Sequence, residues 1–168
     1  MSDPAAHVVI LGAGHAGGTA AALLRQYGHA GPITLVGEEP IPPYQRPPLS
    51  KAWLKGEADA ESLALKPVEF YAEHDIDFRP STTALSLNRG AKTVALSDGS
   101  EISYDAMILA TGARAIALPI AGADLDGVMF LRTAADAEHL KATVGPRKKL
   151  AVVGGGYIGL EVAASGRE

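Results

Sequence analysis

The chain opens on a short apolar run, Val8-Val9-Ile10-Leu11, which breaks at Gly12 and gives way to an alanine-rich stretch from Thr19 to Gln26. Four consecutive apolar residues rich in β-branching predict a strand buried on both faces, and the segment after the glycines predicts a helix. Gly28 and Gly31-Pro32 end that helix, and Ile33-Thr34-Leu35-Val36 supplies a second strand of the same kind. The three elements predict a βαβ unit with parallel strands and a right-handed crossover. The proline-rich stretch from Pro40 to Pro48 is too poor in amide donors for a central strand or a helix interior, so it predicts a shaped loop, followed by a short helix over Pro48 to Leu54.

Residues 67–74 carry a helical pattern, and Ile76 to Phe78 reads as a short strand. Alternation at Ala84 to Leu87, the turn Asn88-Arg89-Gly90, the run Thr93 to Leu96, and Asp98-Gly99 before Ile102 predict an antiparallel meander. Ala106 to Ala110 reads as a further buried strand ending at Thr111-Gly112, and a connector follows with a strand at Val128 to Leu131 and a helix over Ala134 to Val144. Then the opening pattern returns: an apolar run, Lys149 to Val153, leads into Gly154-Gly155-Gly156 and an Ala-rich helix start. The sequence stops at Glu168 with this second unit begun, so a glycine turn without its sheet is not expected to be held in place.

Charge changes the picture by exclusion. Fifteen Lys and Arg against 19 Asp and Glu leave a net charge of -4, without the basic footprint that nucleic-acid phosphates require. There is no cysteine, which excludes from this chain a disulfide framework, thiolate metal ligation, an iron–sulfur cluster and a redox-active cysteine pair. His7, His15, His29, His74 and His139 show no metal-ligand spacing. No apolar stretch approaches the ~18 residues of a membrane span, so the expectation is a cytoplasmic, unprocessed protein with no membrane or nucleic-acid partner.

Gly12, Gly14 and Gly17 fit the pattern G-x-G-x-x-G. In a dinucleotide site the first glycine permits the tight turn, the second lets backbone approach a pyrophosphate, and the third lets helix and strand pack closely. Such turns also arise from packing alone. Here a strand precedes, a helix follows, and Glu38 stands at the end of the second strand, where an acid can accept from both hydroxyls of an adenosine ribose; Glu39 reads as its solvated neighbour. Gly154, Gly156 and Gly159 repeat the pattern, so the chain carries the opening halves of two dinucleotide sites. A flavin paired with a nicotinamide cofactor is the economical account, with a duplicated structural unit as the alternative.

Five segments, Gly12 to Gly17, Tyr44-Gln-Arg-Pro-Pro-Leu-Ser-Lys51, Ala110-Thr-Gly112, Leu131-Arg-Thr133 and Gly154 to Glu161, occur in one order. In that order they resemble the FAD-dependent ferredoxin reductases of oxygenase systems, within the pyridine nucleotide-disulfide oxidoreductase superfamily. The resemblance runs the length of the chain, and R-P-P-L-S-K is its most specific element. It implies an α/β fold: a Rossmann-like FAD-binding domain (parallel sheet plus antiparallel meander) over residues 1–115, a connector over 116–147, and the start of a second Rossmann-like, NAD(P)-binding domain over 148–168. It further implies that Gly12, Gly14, Ala16 and Gly17 hold the FAD pyrophosphate and Glu38 its ribose. Arg46, Lys51, Ala84, Ala110, Thr111, Gly112 and Arg132 match positions near FAD, while Gly154, Gly156 and Gly159 match the NAD(P)H turn. The catalytic pair by resemblance is Lys51, reaching the flavin ring, and Glu161, beside the nicotinamide and able to pair with Lys51. Ala84 departs from the Val of some relatives, at a contact made largely through backbone.

The activity so implied is NAD(P)H:ferredoxin oxidoreduction. Hydride passes from NAD(P)H to FAD, and single electrons pass on to a ferredoxin-type iron–sulfur acceptor feeding an oxygenase. Disulfide reductases share both glycine patterns but need a cysteine pair, and the chain has none. A nucleotide-binding fragment without turnover is the alternative, because the family's remaining nicotinamide domain, returning FAD segment and C-terminal domain are missing from these 168 residues.

Overall fold

The computed structural model describes residues 3–167; residues 1, 2 and 168, at the outer limits of the first and last expected domains, lie outside the described residues. In chain order the first elements are β1 (Val8–Leu11), α1 (His15–Gln26), β2 (Ile33–Val36), a 3-10 turn (Pro47–Ser50), α2 (Ala52–Lys55), α3 (Ala60–Leu63) and α4 (Val68–Glu73). They are followed by β3 (Ile76–Arg79), β4 (Ala84–Asn88), β5 (Thr93–Leu96), β6 (Glu101–Ser103), β7 (Ala106–Leu109), α5 (Ala134–Thr143) and α6 (Tyr157–Ser165). Packing groups these into two compact units: residues up to Gln45 with Ala64–Gly112, and Arg46–Leu63 with the residues from Ala113 onward. The segment 46–63 thus packs with residues distant in sequence.

In the first unit a four-stranded parallel sheet has the order β3-β2-β1-β7, with Val8 opposite both Ile33 and Ala106. Alternate residues of each strand face opposite ways, which explains the unbroken apolar runs. One face, Val8, Ile10, Ile33, Leu35 and Ile76, packs on Ala21 and Tyr71; the other, Val9, Leu11 and Val36, packs on Val94, Leu96 and Ile102 of the meander. The meander is a separate antiparallel sheet, β4-β5-β6. Its turns form as their residues dictate. The Asn88 side chain accepts from the Gly90 and Ala91 amides, and Gly99 takes φ +84°. Arg25, near the end of α1, donates to the carbonyls of His29, Gly31, His74 and Asp75, fastening the exits of α1 and α4 together.

Three expectations change. Helix α1 begins at His15, four residues before the alanine run, because Gly17 and Gly18 enter it to let backbone and Pro43 approach closely. Strand β7 is half exposed, with Ala106 and Leu109 open to solvent, because it forms the edge of the described sheet. Residues 128–131 and 149–153 form no strand among the described residues: an apolar run becomes a strand only when it finds a partner, and neither does.

The second unit contains the 3-10 turn with α2, α3, α5 and α6. Its core is Leu54, Leu140 and Val162, with Met129, Leu131 and Val144 packed against them. Helix α5 starts on a capping box, in which Thr133 Oγ1 accepts from the Asp136 amide and Asp136 Oδ2 accepts from the Thr133 amide. Trp53 is buried, with Lys141 Nζ 5.7 Å from its ring centroid. Among the described residues no helix is long and apolar enough to cross a membrane.

Tyr71 lies in the first core with its ring 5.2 Å from that of Phe78, and burial pushes its phenol up to about 12. Between the ordinary value of about 10 and that figure the folded chain keeps a proton the unfolded chain gives up, so stability must fall as pH rises through this window. Tyr71→Phe should abolish that part of the alkaline loss. Urea denaturation at pH 8 and pH 11 should show the variant gaining on the parent by about 1 kcal/mol at the higher pH; equal alkaline losses would mean the phenol titrates normally in the folded chain.

Candidate functional site

Strand β1 delivers the chain to Gly12, whose φ of +108° is a glycine conformation and whose amide donates to the Val36 carbonyl at 2.9 Å. A Cβ on Gly12 would lie 2.2 Å from the Ala110 carbonyl oxygen, and one on Gly17 would lie 1.9 Å from the Gly12 carbonyl oxygen. Both glycines are therefore fixed by backbone meeting backbone. Gly14 differs: a Cβ there would meet nothing within 4 Å, so packing does not require glycine and the space before it is open. Gly14 is also the N-cap of α1, with no side chain capping the helix and no acid in its first turn. The first helical amides, at His15, Ala16 and Gly17, are left to a ligand, and a helix start of this kind favours an anion.

The neighbours assemble at the same end of the sheet. Gly37, just beyond β2, approaches Ala13 so closely that a Cβ would lie 2.5 Å from the alanine methyl, and the exposed Glu38 follows it. The Gly37 carbonyl accepts from the Thr82 amide at 2.8 Å, which brings in the half-buried Ala84 at the start of β4. On the other flank Ala110 donates to the Leu11 carbonyl at 2.8 Å and leads into Thr111 and Gly112, the latter at φ +69°. These positions lie at the carboxyl ends of the strands where the order turns from β2 on one side of β1 to β7 on the other, the crevice in which open α/β sheets take ligands. Glu39 is not a solvated neighbour: it is half-buried and accepts from the Tyr44 hydroxyl at 2.7 Å, which anchors the proline loop.

The remaining expected residues lie in the second unit. An Arg46 guanidinium nitrogen donates to the Arg132 carbonyl, while Arg132 Nε donates to the Ala113 carbonyl at 2.9 Å and its amide to Asp136 at 3.0 Å. Lys51 Nζ meets Glu161 Oε2 at 2.7 Å and donates to the Pro47 carbonyl at 3.0 Å. Ser50, which the sequence reading passed over, donates its hydroxyl to the same Glu161 oxygen at 2.6 Å. The Lys51 hydrogen bond, then that of Ser50, holds the Glu161 carboxyl below the usual carboxylate range. Gly18 and Gly37 were also missed. The doubled Gly17-Gly18 was a visible signal, whereas Gly37 gave none beyond its place before the acid.

The second glycine turn reproduces the first. Gly154 has φ +108°, Gly156 is an uncapped N-cap with no acid in the first turn of α6, and a Cβ on Gly159 would lie 2.6 Å from the Gly154 carbonyl oxygen. The expectation that this turn needs its sheet is therefore corrected: the contact between Gly159 and Gly154 forms it locally. What it lacks is a neighbour like Ala110, since nothing lies within 4 Å of a Cβ on Gly154. Among the described residues no group of His, Asp or Glu is placed to hold a metal ion.

Residues 6–168 match the pyridine nucleotide-disulphide oxidoreductase family. The chain belongs to that family. It is 54% identical over 158 residues to a probable ferredoxin reductase, CtmF, of Castellaniella defragrans, with 94% of this chain and 39% of that protein covered. It is 50% identical to the rhodocoxin reductase of Rhodococcus erythropolis, over 96% of this chain and 38% of that one. The putidaredoxin reductase in a crystal structure of the covalent putidaredoxin reductase–putidaredoxin complex superposes with a TM-score of 0.88 at 43% identity, covering 96% of this chain and 40% of that one. The chain thus spans about two fifths of the length of the relatives it matches.

The glycines separate by substitution. Gly17→Ala should destabilise the chain by about 1–3 kcal/mol or more, since a methyl would have to displace backbone. Gly14→Ala should cost no more than about 1 kcal/mol in urea denaturation, the N-cap preference for Gly over Ala, yet weaken the binding of a dinucleotide in a titration by filling the open space. Equal loss of stability in the two variants would contradict this division.

Proposed function

We propose that this protein is an FAD-dependent NAD(P)H:ferredoxin oxidoreductase. The observation that carries the reading is the Lys51–Glu161 ion pair, which joins the R-P-P-L-S-K segment to the helix of the second glycine turn. Relatives named as ferredoxin, rhodocoxin and putidaredoxin reductases support it. Because the chain spans two fifths of those relatives, the reaction is proposed for the protein as a whole.

FAD fits the first unit, where the uncapped start of α1, the open space at Gly14 and the exposed Glu38 carboxylate answer a pyrophosphate and an adenosine ribose. When bound, a flavin takes up an electron pair as hydride and releases it as single electrons. The chain's own work is positioning and charge. Gly12, Gly14, Ala16 and Gly17 hold the pyrophosphate, Glu38 accepts from the ribose hydroxyls, and Ala84 and Ala110 to Gly112 lend backbone beside it. Arg46 and Arg132 serve the same cofactor. Lys51 places a cation where negative charge on the flavin ring is favoured, and Glu161 accepts from the nicotinamide carboxamide. Gly154, Gly156 and Gly159 take the pyrophosphate of NAD(P)H. The electron acceptor is a small ferredoxin-type iron–sulfur protein feeding an oxygenase, and the cytoplasm, where NAD(P)H is supplied, is the compartment.

A second reading, nucleotide binding without turnover by these 168 residues, is favoured by one observation: residues 149–153 pair with no strand among the described residues. Mixing the FAD-loaded protein with NADH or NADPH in a stopped-flow cell distinguishes the two. Bleaching of the flavin followed by reduction of an added ferredoxin is the outcome expected of the reductase, and bound FAD that neither nucleotide bleaches would leave only the second reading.

Two substitutions test the roles. Glu38→Ala should weaken FAD binding by about 1–3 kcal/mol, the scale of charge-assisted hydrogen bonds, and an unchanged affinity would remove Glu38 from the site. Lys51→Ala and Glu161→Ala should be non-additive in hydride-transfer rate, as groups in one network are. Since the pair holds the Glu161 carboxyl low, the coupling should persist through the ordinary carboxyl range and fade only as pH falls through the lowered value of the folded protein. Additive effects at neutral pH would dissolve the pair as a functional unit.

A further inference from the structure

The Lys51–Glu161 pair has a third member. Both donors to Glu161, Lys51 Nζ at 2.7 Å and Ser50 Oγ at 2.6 Å, fall on one oxygen, Oε2. Oε1 receives no hydrogen bond among the described residues, and the Glu161 side chain is 33% exposed. Ser50 is 4% exposed, and its carbonyl accepts from Ser165 Oγ at 2.8 Å one turn along α6, so the residue is fixed from both its side chain and its backbone. A serine hydroxyl carries one proton. It points to the carboxylate at a charge-assisted distance rather than to its other acceptor, the Pro47 carbonyl at 3.4 Å.

We propose that Ser50 is a positioning residue, whose hydroxyl, with Lys51, commits Glu161 Oε2 to the chain and turns Oε1 outward as a free acceptor for an N–H donor such as a carboxamide. Lys51 alone is a poor orienter, a flexible stem ending in a point charge with three rotatable donors. The serine supplies a short, half-buried and directional bond that lets the carboxylate present one oxygen and withhold the other. The Pro47 carbonyl takes part of the Lys51 ammonium as well, so the cation stays in place while Oε1 is engaged. Lys51 is the charged group acting on this carboxylate. The assignment rests on the reductase reading only for the identity of the donor, not for the geometry.

The test follows the Glu161 carboxyl carbon by NMR through a pH titration of the protein, with FAD-loaded turnover measured separately. Ser50→Ala should move the Glu161 titration upward toward the ordinary carboxyl value, Ser50→Cys, a weaker donor, should fall between, and Ser165→Ala should leave it near the parent. An Ala variant that titrates like the parent, or a Ser165 variant that shifts as far as the Ala variant, overturns the proposal, because the hydroxyl would then have no specific hold on the carboxylate. In the working reductase Ser50→Ala should raise KM for NADH by about tenfold, the size of one charge-assisted hydrogen bond, with a smaller effect on kcat. If the titration shifts as expected but the parent protein oxidises neither nucleotide, Ser50 keeps its role and the reductase reading fails.

Discussion

Everything in the first unit is referred to one contact: the α-carbon of Gly17 lies against the carbonyl of Gly12 with no room for a methyl between them. It fixes α1 hard against the end of β1, so the first helical amides open at the carboxyl edge of the sheet rather than over its face. Gly12 in turn is pressed on the Ala110 carbonyl, and Gly37 on Ala13. Three close contacts, two of backbone on backbone and one of Gly37 on the Ala13 methyl, thus bring the exits of β1, β2 and β7 to one place, and the one glycine of the first motif left without a neighbour, Gly14, marks where the chain has kept space.

The second turn separates what is local in this arrangement from what is not. Gly154 and Gly159 repeat the dihedral angle and the close approach although residues 149–153, which lead into them, form no strand among the described residues. The turn is therefore written in five or six residues, while the sheet that gives it neighbours is written elsewhere. A glycine pattern can be read as a turn with assurance, but its role as a binding site depends on what lies beside it.

Much of the fold was legible for the same reason. Strands β1 and β2, helix α1, the meander with its Asn88 and Asp98 turns, and helix α5 all declare themselves through short-range pattern. The failures share a cause. Residues 128–131 and 149–153 have strand composition, yet a strand is a relation between two segments, and composition does not report the second. The site divides likewise: Gly12, Gly17 and Glu38 stood out by spacing, whereas Lys51 and Glu161 are 110 positions apart and were joined only through family resemblance. Ser50 and the Glu39–Tyr44 bond were invisible, being ordinary polar residues whose partners the fold alone supplies.

The sheet order also has a consequence in time. Strand β1 is flanked by β2, which follows it almost at once, and by β7, whose Ala106 lies 98 residues after its partner Val8. At the usual 5–20 residues per second of synthesis, the second edge of the central strand stays uncovered for about 5–20 s on the ribosome. During that interval the most apolar segment of the chain is a half-paired strand, and what accompanies the nascent protein has to keep that edge from pairing with the wrong one.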